Sequence, residues 1–495
     1  MTETSNLETA QRDGLRRVAI DPVTRVEGHG KVTILVDEAN RIHQVRLHIV
    51  EFRGFERFVV GRPFTELPVL VQRLCGICPV SHHVAAGKAV DILAGAGPLP
   101  PETEAIRRLM HIGQILQSHA THFFHLASPD LLFGMDADLQ QRDFFHVMEQ
   151  RREVAKDGIA LRRFGQEVIA AVSGKRIHGT CAIPGGVNRG VAAEERRRLL
   201  SAIPEMLQRA ERGIAVCRSC YAADLPRHRA FGTVAGNMLS LVCDDGALEF
   251  YDGGLRARAP DGAMPFDGLP AAAYRQRITE AVKPWSYMKF PFFHEQGQEQ
   301  GWYRVGPLSR VVNCERLSTP LANAQRHAFL DQEGRFVQSL LATHWARLIE
   351  VLHAVELIGE LLEDEAIEQP RQAEMGPWRQ EAVSIVEAPR GTLIHHYGMN
   401  SAGLIDAANL IVSTTNNNQA MNEAIRRVAL DELDGQVLSE PLLNHVETAI
   451  RAYDPCLSCA THALGQMPLA ITLQDPAGHI LDTIMRDGDG RIVHA

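Results

Sequence analysis

Apolar and polar residues alternate along 17–20, 31–36 and 44–50, the two-residue period of half-buried strands. The polar stretch Asp37-Glu-Ala-Asn-Arg41 reads as a turn between the last two, so an antiparallel hairpin is expected near the start. Beyond residue 100 the period lengthens. Within 103–126, Ile106, Leu109, Met110, Ile115 and Leu116 recur at three- and four-residue steps, as apolar positions do on one face of a helix. Similar spacing predicts helices over 146–172, 192–221, 338–363 and 419–433, which makes the middle of the chain mostly α. Pro- and Gly-rich interruptions at 95–101, 259–270 and 370–377 are too short to serve as domain linkers. Past residue 463 short strands return at 469–473 and 479–484, with turns at Asp475-Pro-Ala-Gly478 and Asp487-Gly-Asp-Gly490. The expected fold is mainly α with small β elements (α+β): a helical core, an N-terminal β hairpin and a β-rich C-terminal tail.

Composition narrows the partners. The 495 residues carry a formal net charge of −9, which supplies no basic footprint for nucleic acid or an anionic membrane. No run approaches the roughly 18 apolar residues of a membrane span. The acidic, polar opening lacks the basic start and apolar run of a secretory signal, so a cytoplasmic location is expected. Nine cysteines are an odd number at low density, which argues against a disulfide framework and for metal or redox chemistry in a reducing compartment.

Their spacing carries the chemistry. Cys75-Gly-Ile-Cys78 is followed by His82, and Cys456-Leu-Ser-Cys459 by His462. Two residues between thiolates let both sulfurs of a pair reach one ion, and four thiolates select a soft or borderline metal. The pairs lie at opposite ends of the chain, so a shared site must be built from both ends of a large fold. A shared catalytic metal centre, a zinc or iron–sulfur site, and unliganded cysteines all fit this spacing. A third pair, Cys217-Arg-Ser-Cys220, falls inside an expected helix, where an i, i+3 pair is more often packing than ligand. Cys181, Cys243 and Cys314 stand alone, leaving no four-cysteine cluster spacing. Gly28-His-Gly30 and Gly87-Lys88-Ala89 are not nucleotide-binding loops, so NAD is not expected to bind this chain.

Arg73-Leu-Cys75-Gly-Ile-Cys78-Pro-Val-Ser-His82 and Asp454-Pro-Cys456-Leu-Ser-Cys459-Ala-Thr-His462 resemble the two signature motifs of the large subunit of nickel–iron hydrogenases. Further segments agree: Asp21-Pro-Val-Thr-Arg-Val-Glu27-Gly-His29-Gly, Arg53-Gly-Phe-Glu56, Pro184-Gly-Gly-Val187, Arg304-Val-Gly-Pro-Leu308 and Glu387-Ala-Pro-Arg390-Gly. The resemblance runs from residue 18 to 495. Phe52-Arg-Gly-Phe-Glu56, His82-His83 and the wording after Ala460 are most similar to the cytoplasmic, bidirectional, NAD-linked type.

The resemblance implies nickel on Cys75, Cys78, Cys456 and Cys459, with Cys78 and Cys459 bridging to an iron that carries CO and cyanide. Cys456 would accept the proton released from H2 and Glu27 would carry it onward. His82 would hydrogen-bond a bridging sulfur. Arg390 and Asp454 would form a charged pair above the open metal position, beside the apolar wall of Pro389. Ser413 and Thr414 would reach the diatomic ligands, although relatives commonly carry proline and serine there. Ser118 stands where many relatives have an aspartate. Glu56, His462 and the backbone carbonyl of Leu410 would hold magnesium or a similar divalent ion.

The resemblance also implies partners: an iron–sulfur small subunit, flavin (FMN) and iron–sulfur diaphorase subunits that reduce NAD⁺, nickel-insertion factors, and a maturation endopeptidase cutting after His462. Residues 1–462 would be the mature catalytic domain and 463–495 an extension removed after nickel insertion. Until then the extension would keep Cys456 and Cys459 away from the closed site. Three alternatives remain: a regulatory subunit that senses hydrogen, a different electron acceptor, and a non-catalytic scaffold like the quinone-module subunit of respiratory complex I.

Overall fold

The computed structural model describes residues 14–461 and, in the tail, the strands Leu469–Gln474, Ile480–Arg486 and Ile492–His494. Strands β1 (Arg16–Ile20), β2 (Gly30–Val36) and β3 (Ile42–Ile49) form an antiparallel sheet in the order β1-β2-β3. The expected hairpin is β2–β3, and β1 adds the third strand.

The core is helical. Helix α1 (Pro79–Leu93) begins directly after Cys78, with Pro79 at its first position, where a fixed φ helps and the missing N–H is not needed. It is buried almost throughout, so it has no polar face, and that is why no amphipathic period announces it. Helix α2 (Pro101–Thr121) continues into a single wide π turn, His122–Ala127. The expected helix over 146–172 is two, Phe144–Gln150 and α3 (Arg152–Ser173), broken at Arg151. Helix α4 (Ala193–Ala222) matches its expectation, and α5 (Ala342–Glu363) starts four residues later than expected. The helix expected over 419–433 runs from Asn418 to Val428 and ends in a second π turn. Among the described residues, no helix is long and apolar enough to cross a membrane.

The middle of the chain is less helical than its pattern suggests. Asn237–Val242, Gly254–Arg258, Phe266–Leu269 and Tyr303–Arg304 form a four-stranded sheet, with Tyr303–Arg304 parallel to the first. Strands β4 (Glu381–Ala388), β5 (Gly391–Met399) and β6 (Ile405–Ile411) form an antiparallel sheet against α1. β5 is buried over nearly its whole length, so its sequence is a continuous run without period-two alternation. The tail strands form their own antiparallel sheet, as expected.

Two features of this frame aim at one place. Ala388 pairs with Gly391, so Pro389 and Arg390 are the two-residue tip of the β4–β5 hairpin. Gly391 has φ +126, and a Cβ there would collide with Val305. Chain ends then converge: Cys75, Cys78, Cys456 and Cys459 all belong to the main hydrophobic core.

Candidate metal centre

The four sulfurs of Cys75, Cys78, Cys456 and Cys459 lie within 4.8 Å of one another, all buried and none in a disulfide. Cys75 Sγ is 3.2 Å from Cys456 Sγ, Cys78 Sγ is 3.9 Å from Cys459 Sγ, and Cys456 and Cys459 are 2.7 Å apart. The local folds explain the aim. Cys75 leaves a 3₁₀ turn in extended conformation, and the backbone N–H groups of Ile77 and Cys78 donate to its sulfur at 3.2 and 3.0 Å. Cys78 caps the N-terminus of α1, where exposed amides favour a thiolate. Hydrogen bonds from the thiols of Cys456, Cys459 and Cys75, and from His82, hold the Cys78 thiol well below its ordinary range. Burial pushes Cys456 and Cys459 up. Four sulfurs with no oxygen or nitrogen donor suit nickel, iron or zinc and not a hard cation, and a divalent ion would replace the protons that keep the upper thiols neutral. Tight turns in both motifs and core packing bring the two pairs together.

Glu27 reaches this cluster. The Cys456 thiol donates to Glu27 Oε2 at 2.9 Å, the Ser458 hydroxyl donates to Oε1, and the Ser458 N–H lies 3.3 Å from Oε2. The main chain fixes the approach: Leu457 N donates to the Glu27 carbonyl at 2.9 Å. At Gly28, φ +83, a Cβ would lie 2.6 Å from Ser458 N, so only glycine lets the two segments come this close. Glu27 is half-buried, between the sulfurs and the surface, not on an open face.

Above the cluster, Asp454 adopts φ 54, an uncommon conformation that Asp tolerates and that is costly unless the surroundings hold it. Arg390 Nη2 lies 3.0 Å from Asp454 Oδ1, and Arg347 Nη1 lies 3.5 Å from Oδ2. Read from residue types alone, Arg390 and Asp454 would be surface charges; both are buried. Burial works to lower the Arg390 pKa, but Asp454 and the cysteine sulfurs outweigh it and hold it well above the ordinary value. Ser118 accepts from Arg390 Nη1 at 3.5 Å, so the canopy holds two guanidiniums and one carboxylate. Arg347, deep in α5, is not legible from sequence as part of the site, because nothing local distinguishes it from a helix surface charge.

A small pocket of about 10 Å³ lies beside the sulfurs, lined among others by Pro389, Arg390, Ser413, Thr414 and His82. Thr414 Oγ1 accepts from the Cys456 N–H at 3.0 Å, which leaves its own proton free to point elsewhere. Ser413 instead donates to the Gly391 carbonyl at 2.7 Å, so its hydroxyl hydrogen is already engaged. The structure thus separates two hydroxyls that the sequence treats alike.

Of the expected hard-cation ligands, Glu56 and Leu410 are neighbours. Glu56 Oε1 accepts from the Leu410 N–H at 2.8 Å, and Lys289 Nζ approaches Glu56 at 3.2 Å and Glu280 at 3.5 Å. Glu280 Oε1 is buried without a partner, and burial raises its pKa. His462 lies outside the described residues. Its neighbour Thr461 accepts from Arg53 N at 3.4 Å, three residues before Glu56. Among the described residues the third cysteine pair joins no ligand cluster: Cys217 is buried, Cys220 half-buried, and burial raises both thiols.

Comparison with known proteins agrees with this geometry. Residues 53–141 and 244–462 match the nickel-dependent hydrogenase family, and residues 17–52 match a HoxL-like family. The chain is 44% identical to the NAD-reducing hydrogenase HoxS subunit beta of Cupriavidus necator, over 94% of this chain and 99% of that one. It is 39% identical to one chain of the vhc F420-non-reducing hydrogenase of Methanococcus voltae, over 93% and 98%. A crystal structure of an NAD⁺-reducing [NiFe]-hydrogenase in the H2-reduced state superposes with a TM-score of 0.88 at 53% identity, covering 90% of this chain and 99% of that one. A [NiFeSe] hydrogenase from Desulfovibrio vulgaris Hildenborough, 23% identical with a TM-score of 0.73, shares the fold. The chain belongs to the nickel-dependent hydrogenase large-subunit family, and it is a hydrogenase enzyme subunit.

Proposed function

We propose that this chain reversibly converts H2 into two protons and two electrons at a nickel–iron centre held by Cys75, Cys78, Cys456 and Cys459. The observation that carries the reading is the 2.9 Å contact between Cys456 Sγ and Glu27 Oε2 beside three further buried sulfurs. These four thiolates would hold nickel and an iron carrying CO and cyanide. That centre supplies heterolytic cleavage of H2 and takes up the electrons. Cys456 receives the proton, and Glu27, held by Ser458, removes it towards the surface. Arg390, kept charged by Asp454, offers hydrogen bonds to ligands in the pocket, and Pro389 walls the open position. Thr414 would donate its hydroxyl hydrogen to a diatomic ligand; Ser413 shapes the wall. Glu56, the Leu410 carbonyl and His462 hold a magnesium-like ion close to the second motif.

Electrons leave to an iron–sulfur small subunit. Gly76 is exposed between buried Cys75 and Cys78, so the first motif has a short path to the surface where such a partner would dock. A flavin and iron–sulfur diaphorase passes them to NAD⁺ in the cytoplasm. The similarity to an F420-non-reducing hydrogenase supports a second reading, in which the same centre serves a different acceptor. Maturation inserts nickel and then removes residues 463–495.

The test is elemental analysis of the purified complex, infrared spectra in the CO and cyanide region, and H2-dependent NAD⁺ reduction. Nickel, iron and diatomic bands together with NADH formation are expected. H2/D⁺ exchange without NADH formation would favour another acceptor, and absence of nickel would overturn the reading.

A further inference from the structure

Arg25, two residues before Glu27, has φ 56, in the left-handed region that a long side chain enters only at a cost. Glycine takes this conformation freely, so an arginine must be held in it by its surroundings. Its own side chain does the holding. Arg25 Nη2 lies 2.6 Å from Asp130 Oδ1, and Nη1 donates to the Leu126 carbonyl at 2.8 Å, within the π turn His122–Ala127 that follows α2. Asp130, buried in the short helix Ser128–Phe133, is fixed in turn: Arg451 Nη1 reaches its other oxygen at 2.6 Å, and Asn444 Nδ2 lies 3.3 Å from Oδ1. The anchor is therefore part of the helical core.

The turn at Arg25 belongs to a loop fastened at several points. Val23 N donates to the Gly30 carbonyl at 2.9 Å and closes residues 23–30 at their base. Thr24 donates from its N–H and its hydroxyl to Glu447 Oε1, at 2.5 and 2.8 Å, on the helix Glu440–Ala452 that also carries Asn444 and Arg451. Past the turn, Val26 packs against the main core, and the Glu27 carbonyl accepts from Leu457 N at 2.9 Å. None of the bonds made by Thr24 and Arg25 involves a cysteine, so they hold Glu27 from behind while its carboxyl faces the sulfurs.

We propose that Arg25 is a positioning residue for Glu27: its ion pair with Asp130 and its bond to the Leu126 carbonyl hold the left-handed turn from which the Glu27 carboxyl reaches the Cys456 sulfur. Arginine suits the task because its planar group meets a carboxylate and a carbonyl at once, and so fixes direction as well as distance. The inference rests on the proposed reading of Glu27 as the carrier of the proton from Cys456.

Backbone amide hydrogen–deuterium exchange of the purified complex reads the position directly. The Leu457 and Ser458 amides lie against Glu27, 2.9 Å from its carbonyl and 3.3 Å from Oε2. Arg25→Gly removes the anchor and the backbone cost together, and Asp130 keeps Arg451, so no buried charge is stranded. Both amides, and that of Val23, are expected to exchange about tenfold faster or more in this variant. Arg25→Asn, which also tolerates left-handed backbone, should behave alike and separates loss of the anchor from the flexibility of glycine. Arg25→Lys, whose ammonium can still pair with Asp130, should recover part of the protection. Amides as protected as in the wild type in both the Gly and the Asn variant would overturn the proposal. A variant that loads no metal is compared with wild-type protein from nickel-starved cells, and the same outcomes decide.

The functional test is a double-variant comparison. Arg25→Gly is expected to slow H2/D⁺ exchange by about tenfold or more, within the roughly 10²-fold that a misplacement of about 1 Å can cost. Added to Glu27→Gln it should slow exchange no further, because Arg25 acts only through Glu27. An equal loss in both backgrounds would mark a general structural role and sink the idea. Should Glu27→Gln alone exchange at the wild-type rate, the proton reading of Glu27 fails instead, and amide protection still decides whether Arg25 holds the turn.

Discussion

Glu27 and Cys456, 429 positions apart, meet as a hydrogen-bonded pair at 2.9 Å, and the same two residues also form a parallel backbone bridge. Because the main chain makes the approach, the Glu27 side chain starts within reach of the sulfur. Proton transfer demands that kind of placement: donor and acceptor already within hydrogen-bond reach.

Glu27→Gln keeps the shape and the bridge but removes the group that can take up and release a proton. H2/D⁺ exchange is expected to fall by about 10²-fold or more, the range for loss of a general acid–base group. Nickel and iron content should stay at wild-type levels. Exchange at the wild-type rate would exclude Glu27 from the route.

Asp454 neutralises two buried guanidiniums, Arg390 and Arg347. Asp454→Leu leaves both uncompensated, and removing one partner of a buried ion pair costs about 3–5 kcal/mol. A lowered melting temperature is expected. Adding Arg347→Leu should recover part of the loss, because the second substitution removes one of the stranded charges. Equal melting of the single and double variants would show that Arg347 is not coupled to Asp454.

Acid should loosen the frame around the first motif. Burial lowers the pKa of His83 and of His111 to about 4, from an unfolded value near 6.5. Both are neutral when folded, so between those values the unfolded chain binds more protons than the folded one. Stability contributed by the neutral rings is fully present above pH 6.5 and is lost as pH falls towards 4. Melting temperature measured against pH should drop through this window and level off below it. His83→Gln should flatten the drop, and an unchanged slope would count against this cause.

Processing gives a mass signature. Protein from nickel-supplied cells is expected to end at His462, and protein from nickel-starved cells to retain residues 463–495. Active, nickel-loaded protein whose intact mass still includes Ala495 would rule out cleavage as a maturation step.

Not all of the helical frame is legible in the residue pattern. Helices α3 and α4 each present a polar face to water, and α2, though buried, carries polar residues such as Arg107, His111 and Gln114 between its apolar ones, so a period is written in the chain for all three. Helix α1 and strand β5 are buried nearly all round, so their apolar residues carry no period, and neither is foreseen although both carry site residues. The short strands between 237 and 304 escape for related reasons: Asn237–Val242 is buried at every position and so does not alternate, and Tyr303–Arg304 pairs with Asn237–Met238, distant in sequence.

For the site, the sequence by itself determined the donors. Cys-x-x-Cys is a local device, and two copies state a soft-metal site wherever the chain takes them; the surrounding wording named the family, and with it Glu27, Arg390 and Asp454. Tertiary structure decided everything that depends on which side chain meets which. Arg347 acts through Asp454 from 107 positions away, His395 meets His82 from 313, and Ser413 and Thr414, adjacent in the chain, turn to different partners. The physical reason is that a metal ligand is defined by its own atoms. A buried charge or a histidine tautomer is defined by its partners, and only folding chooses those.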